Sequence, residues 1–374
     1  MKKQLSNENG EKLIDTRSGW KAFFVACQFG KLETVKLLLN DDRFNVNKTP
    51  KNGETPFFVA CRNGHIEIVK ILLNDKRIDV NQANIIGSTP FFVACENGHI
   101  EIVKLLLGNK SVDINKANKY GFTPSSITCE NGDVKIMEIL LNDGRVDINK
   151  GKNSEETPFY LACQNGDVEI VKLLLNDERV DVNKANHLRQ TPFYIACWKG
   201  YFEIVKLLLK DERVYINQSE NRNGETPFYI ACAKNRLEIV KLLLSDERID
   251  INKVNKYGRT PFSISCWKGY FQIVKYMIAS GRKPKVHAKD NEGKTPIDNV
   301  REQEREGKKH FESEEEFRER KGNYPKILEI LETLEKNPTQ IRTTLKTQFI
   351  LDGKFLSFFY WILNFFFFFS FFCS

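Results

Sequence analysis

"TPFYIACWKGYFEIVKLLL", residues 191–209, returns as "TPFSISCWKGYFQIVKYMI" at 260–278. Neither copy carries a charged pair or glycine loop suited to chemistry, so the repetition itself needs an explanation. The same Thr-Pro start recurs at Thr55, Thr89, Thr123, Thr157, Thr226 and Thr295, and Lys21-Ala22 holds its place in a degenerate first copy. Every spacing is 34 or 35 residues, so eight full units and the opening of a ninth cover residues 21 to about 300. A chain of 374 residues suggests two or three compact domains by length alone. A fixed period points instead to stacked modules.

Local chemistry assigns the parts of one unit. Thr55 suits a helix N-cap, and Pro56 sits at the first helical position, where its missing N–H costs nothing. Phe57 to Cys61 continue this first helix until Gly64, placed to end it in a left-handed turn. Ile66, Ile68, Val69, Ile71, Leu72 and Leu73 predict a second short helix. "RIDVN" then leads toward a tight hairpin-like turn at Asn52-Gly53 and its counterparts. Neither helix reaches the ~12 residues that an isolated helix needs in water. Each pair must bury its apolar faces against the pairs before and after it, which is the logic of a solenoid.

Thr-Pro-Phe-Tyr-Ile-Ala-Cys, a Gly, then Glu-Ile-Val-Lys-Leu-Leu-Leu and Val-Asp-Val-Asn resembles the ankyrin repeat, whose signature is T-P-L-H-x-A in a unit of about 33 residues. The resemblance covers roughly three quarters of the chain. It implies an all-α, ankyrin-type solenoid of helix-turn-helix units with hairpin loops. Three departures stand out. Phe or Tyr follows the Thr-Pro-Phe where the family has His, as at Phe58 and Tyr194. The period is a residue longer, an excess expected after helix two around 176–179. The hairpin glycine of Gly53, Gly87, Gly121, Gly224, Gly258 and Gly293 gives way to Glu155 and Arg189 in two units. Positive φ there would cost about 1 kcal/mol or more, so altered loops are expected.

Cys27, Cys61, Cys95, Cys129, Cys163, Cys197, Cys232 and Cys266 fall at one position of every unit. A small buried apolar residue needs no chemical partner. Equivalent positions in a stack should lie about 8–10 Å apart, beyond bridging distance for a disulfide. His65 and His99 follow two of the cysteines by four residues, but the other units hold Lys31, Asp133, Asp167, Tyr201, Arg236 and Tyr270 there. The cysteine recurs without the histidine, so packing is preferred to a metal site. No nucleotide-binding, zinc-protease or nucleophile-elbow motif occurs. The chain is therefore read as non-enzymatic, with no cofactor, metal or small-molecule substrate. Unpaired thiols and the lack of an apolar leader in "MKKQLSNENGEKL" predict a cytoplasmic, non-secreted protein.

In proteins it resembles, the hairpin tips and the exposed end of helix one line a concave binding surface. The two residues after each cysteine are mainly polar or acidic in the first five units. The last three hold Trp198-Lys199, Ala233-Lys234 and Trp267-Lys268. Tryptophan often anchors interfaces, so the expected partner-binding residues are Trp198, Lys199, Lys234, Trp267 and Lys268. Tyr194 and Tyr229 are expected on the same face, with His187, Leu188, Lys256 and Tyr257 on nearby tips. A competing reading has the tryptophans merely covering Tyr201-Phe202 and Tyr270-Phe271.

Of the net +8, residues 251–300 contribute ten Lys/Arg against three Asp/Glu, or +7. An acidic protein segment is the expected partner. Nucleic acid or anionic lipid bound by the basic end, or a targeting role for an enzyme elsewhere, are the alternatives.

The flanks are read as follows. Residues 1–20 form an N-terminal flank to the array of 21–300. Residues 301–323, with eight Glu and seven Lys/Arg in 301–321, predict a charged linker or solvated helix. Residues 324–337 form an apolar stripe suited to a capping helix opened by Pro325, and 338–354 a linker. "FLSFFYWILNFFFFFSFFC", residues 355–373, is uncharged and long enough to span a bilayer. Arg342, Lys346 and Lys354 before it would make it a tail anchor with the repeats facing the cytosol. Translation of a T-rich non-coding tract explains the phenylalanines equally well.

Overall fold

A computed structural model describes residues 16–351 apart from 43, 221 and 309–311, so the apolar run at 355–373 lies outside the described residues. Among the described residues there are nineteen helices and no strand, and no helix is long and apolar enough to cross a membrane. The chain divides after His187 into two units.

The first unit holds α1 (Thr16–Gln28), α2 (Leu32–Leu39), α3 (Pro56–Arg62), α4 (Ile66–Leu73), α5 (Pro90–Glu96), α6 (Ile100–Leu107), α7 (Pro124–Asn131), α8 (Val134–Leu141), α9 (Pro158–Asn165) and α10 (Val168–Leu175). First helices pack on first helices, α1 on α3 through to α7 on α9, and second helices form a parallel row from α2 to α10. The second unit repeats the scheme with α11 (Pro192–Lys199), α12 (Phe202–Lys210), α13 (Pro227–Ala233), α14 (Leu237–Leu244), α15 (Pro261–Trp267), α16 (Phe271–Ala279) and α17 (Pro296–Arg305).

The sequence dictates this locally. The Thr55 hydroxyl accepts from the Phe58 N–H at 3.0 Å, and the Thr89, Thr157, Thr191 and Thr226 hydroxyls accept in the same way. Each such cap stabilises by about 1 kcal/mol. Pro56 to Cys61 are all buried, so a first helix is covered on every side by its neighbours. The second helix is one-sided: Ile68, Val69 and Leu72 face inward, while Glu67 and Lys70 pair at 2.7 Å outside. Each buried Phe contributes about 1.5–3 kcal/mol that a lone unit could not obtain.

Successive hairpin turns are joined by single backbone hydrogen bonds: Ile85 N–H donates to Asn52 O at 3.0 Å, and Lys119 N–H to Ile86 O at 2.9 Å. The turn needs a left-handed residue. Gly53 supplies it at φ 76°, and an added Cβ would meet the Ile85 backbone N at 2.9 Å. Contrary to the altered loops expected at Glu155 and Arg189, both adopt the same left-handed conformation, φ 64° and 59°. The turn around Glu155 is held from both sides, by Lys152 N–H to Glu156 O and by His187 N–H to Ser154 O at 3.1 Å. Those neighbours impose the geometry that glycine elsewhere adopts freely.

Beyond α17 the helices run differently from the expected divisions. α18 (Glu314–Lys336) is one helix with Pro325 inside it, opened by a capping box between Ser313 and Glu316. Residues 314–323 are thus part of the same helix as 324–336. The expected linker at 338–354 is helical through Leu351, as α19 (Pro338–Leu351). Its Leu345 and Phe349, one turn apart, are buried, and Phe349 stacks on Tyr276 of α16 at 4.1 Å. With half-buried Ile341 one turn earlier, three large apolar residues mark this face, spaced singly through a polar stretch.

Candidate interaction surface

Where repeats meet, side chains from one satisfy backbone groups of another. Asn47, Asn115 and Asn149 each donate a side-chain N–H to Arg77 O, Arg145 O and Arg179 O, at 2.6–2.7 Å. Their amide oxygens accept from Asp79, Asp147 and Asp181 N–H at 2.8–2.9 Å. A second series caps helix ends. Arg77 donates to Leu39 O, Arg145 to Leu107 O, Arg179 to Leu141 O and Arg248 to Leu209 O, at 2.6–2.7 Å. Each arginine is oriented by the aspartate two residues before it, and that hydrogen bond holds the carboxyls of Asp75, Asp143, Asp177 and Asp246 below their usual range. These residues form joints between repeats.

The cysteines are interior too. All eight in the repeats are buried free thiols. Burial pushes every one of them up, Cys27 and Cys232 to about 12, which leaves them protonated and poorly nucleophilic at neutral pH. The histidines serve the joints: His65 Nε2 lies 3.0 Å from Gln28 O, and His99 Nε2 lies 2.8 Å from Arg62 O. An added Cβ at Gly30 would come within 2.8 Å of the His65 ring. Each imidazole thus fills the space over the preceding repeat's glycine. Among the described residues no group of His, Cys, Asp and Glu could hold a metal ion.

A family model described as ankyrin repeats, in three copies, matches residues 1–84, 77–152, 127–219 and 212–290. The chain belongs to the ankyrin repeat family. No curated protein matches it. Ankyrin repeats are generally protein-interaction modules, which directs attention to the side chains that the array does not bury.

In the second unit the ankyrin first helices end in an aromatic and cationic row. Trp198 and Trp267 are half-buried. Lys199 Nζ and Lys234 Nζ lie 5.5 and 5.8 Å from the Trp198 ring centroid. Lys268 Nζ lies 4.9 Å from the Trp267 ring and the Arg259 guanidinium 5.6 Å from it; Arg259 is also 6.0 Å from the exposed Tyr257. With Lys199 and Lys234 exposed, cation–π contacts of this kind are worth about 0.5–1 kcal/mol. Arg259 thus ties a hairpin tip to a helix end, a role that its place in the sequence does not reveal.

The expected site residues separate in the structure. Tyr194 and Tyr229, expected on this face, are buried instead. The Tyr229 hydroxyl accepts from Asn255 at 3.1 Å, and that of Tyr194 lies 3.4 Å from the Glu225 carboxylate. Tyr160 repeats the arrangement with Asn186 at 3.1 Å. Lys256 is exposed, but its Nζ donates to Arg222 O at 3.1 Å. Leu188 is half-buried in the second unit, whereas the exposed His187 belongs to the first, with Nδ1 3.2 Å from Ser154 O.

Much of the basic excess in 251–300 also works internally. Lys253 donates to Asn217 O, Arg282 to Asp246 O and Ile249 O, and Lys275 is buried with its Nζ 4.9 Å from the Phe349 ring. Exposed apolar side chains at the first unit's tips, Ile85, Ile86 and Tyr120, were not singled out by sequence reasoning. Their exposure depends on the turn geometry, which hydropathy alone does not encode.

Proposed function

We propose that this ankyrin array acts as an interaction scaffold, without catalysis of its own, and binds an acidic protein segment on the face where α11, α13 and α15 end. One observation supports the reading above others. Two half-buried tryptophans, at equivalent positions of their repeats, are each flanked by two cations, Lys199 and Lys234 for Trp198, Arg259 and Lys268 for Trp267. A flat aromatic surface anchors a partner at low entropic cost, and Lys199 and Lys234 select carboxylates beside Trp198, whereas Arg259 beside Trp267 already faces Asp290 and Glu292 at 3.6 and 3.7 Å. Nucleic acid or anionic lipid is less favoured, because Lys253, Lys256, Lys275 and Arg282 are engaged within the fold.

The test is a peptide-display selection on the full chain, followed by fluorescence anisotropy of the selected peptide. Trp198→Ala with Trp267→Ala should weaken binding by about tenfold or more and leave the melting temperature nearly unchanged. Unchanged affinity, or a loss that merely follows unfolding, contradicts the proposal.

A further inference from the structure

In the second unit the place one residue after each buried cysteine reads Trp198, Ala233 and Trp267 along α11, α13 and α15. Every earlier repeat carries a long polar side chain there: Gln28, Arg62, Glu96, Glu130 and Gln164. Ala233 is the one small residue of the eight, and it stands between two tryptophans. The three first helices pack in that order, α13 against both α11 and α15, and Ala233 is half-buried. A single methyl between two indoles leaves a recess in the row.

The walls of that recess are fixed from behind. Arg236 Nε donates to Trp198 O at 3.2 Å, and the Tyr324 hydroxyl donates to Trp267 O at 2.9 Å. The floor is the end of α13, where Phe228 to Cys232 are buried and the Lys234 N–H is taken by Ile230 O at 2.9 Å. A polar group seated there would give up its water with nothing to replace it. An apolar side chain has no such loss, and walls already in place leave little order to impose on binding.

The charges lie to one side of the recess. Lys199 is exposed, with its Nζ 5.5 Å from the Trp198 ring. Lys234 Nζ lies 5.8 Å from the same ring and also acts on the half-buried Glu225, whose carboxyl burial pushes up and Lys234 draws back. First helices of neighbouring repeats are about 8–10 Å apart, so Trp198 and Trp267 stand roughly 16–20 Å apart, a span of about five or six residues of extended chain.

We propose that the recess over Ala233 receives one large apolar side chain of the bound segment, midway between its contacts with the two tryptophans, with an acidic residue on the Trp198 side toward Lys199. This rests on the proposed tryptophan face and adds to its acidic partner the apolar residue that the partner must present.

The test uses the full chain and the acidic peptide selected on it. Exchanging the peptide's large apolar residues for alanine one at a time should single out one whose loss weakens binding by about tenfold. Ala233→Gln fills the recess with a side chain that the first unit holds at the same place in Gln28 and Gln164. It should weaken the parent peptide by about tenfold, yet leave the alanine-exchanged peptide within about twofold of its affinity for the native chain, because the two changes remove the same contact. Should glutamine lower the melting temperature, Ala233→Met repeats the test without a polar end. If filling the recess weakens neither peptide, or both alike in a folded chain, while Trp198→Ala with Trp267→Ala still weakens binding, the socket is overturned and the tryptophan face stands. Binding indifferent to the tryptophan pair overturns both.

Discussion

Glu155 and Arg189 occupy turns built for glycine, and both hold φ near 60°. Left-handed backbone costs a residue with a Cβ about 1–2 kcal/mol, whereas glycine's extra chain entropy takes back about 0.5–1. Glu155→Gly and Arg189→Gly should each raise the urea midpoint slightly, a gain of about 0.5–1 kcal/mol; a lowered midpoint contradicts the account. The thiols give a second residue-scale prediction. With all eight repeat cysteines buried and their ionisation pushed up by burial, an aromatic disulfide reagent should modify them only as fast as the fold opens. Immediate reaction of any of the eight in the native chain would contradict the packing seen here.

At the scale of the element, the helix pair is defined by what the next pair does for it. Arg77, Arg145 and Arg179 each cap the second helix of the repeat before, 38 residues back. Asn109 and Ser111 replace the aspartate and arginine in one repeat, and by the same register the helix end left without the clamp is Leu73. Asn109→Asp with Ser111→Arg should install it and stabilise the first unit, while Arg179→Ala should cost about 0.5–1 kcal/mol, both read by urea unfolding. The aspartates add a pH dependence. Their folded pKa values lie below the ordinary one, chiefly through hydrogen bonds from the arginines. That stability is present above the ordinary aspartate pKa of about 3.9 and is lost as pH falls through the depressed values. Asp143→Asn with Asp177→Asn should flatten this acid limb of the stability profile; an unaltered limb would show that the pairs do not contribute.

At the scale of the molecule, the period of 34 or 35 residues carried nearly all of the repeat architecture, because Thr caps, Pro at the first helical position and one-sided apolar stripes are local signals. What the sequence concealed was long-range. Tyr229 looks like a surface aromatic until Asn255 is seen on its hydroxyl. The basic residues of 251–300 look like a solvated patch until Lys253 and Arg282 are found on backbone carbonyls. α19 was hidden because its inner side is marked only by Ile341, Leu345 and Phe349, spaced singly among polar residues. Trp198 and Trp267 were legible as candidates; their shared surroundings, including Arg259, were not. The most direct measurement is amide hydrogen exchange of the full chain with and without its display-selected peptide. Protection should rise at residues 196–200, 231–236 and 264–270 and stay unchanged around Ile85, Ile86 and Tyr120. Protection confined to those first-unit tips, with the ends of α11, α13 and α15 unaffected, would contradict the account.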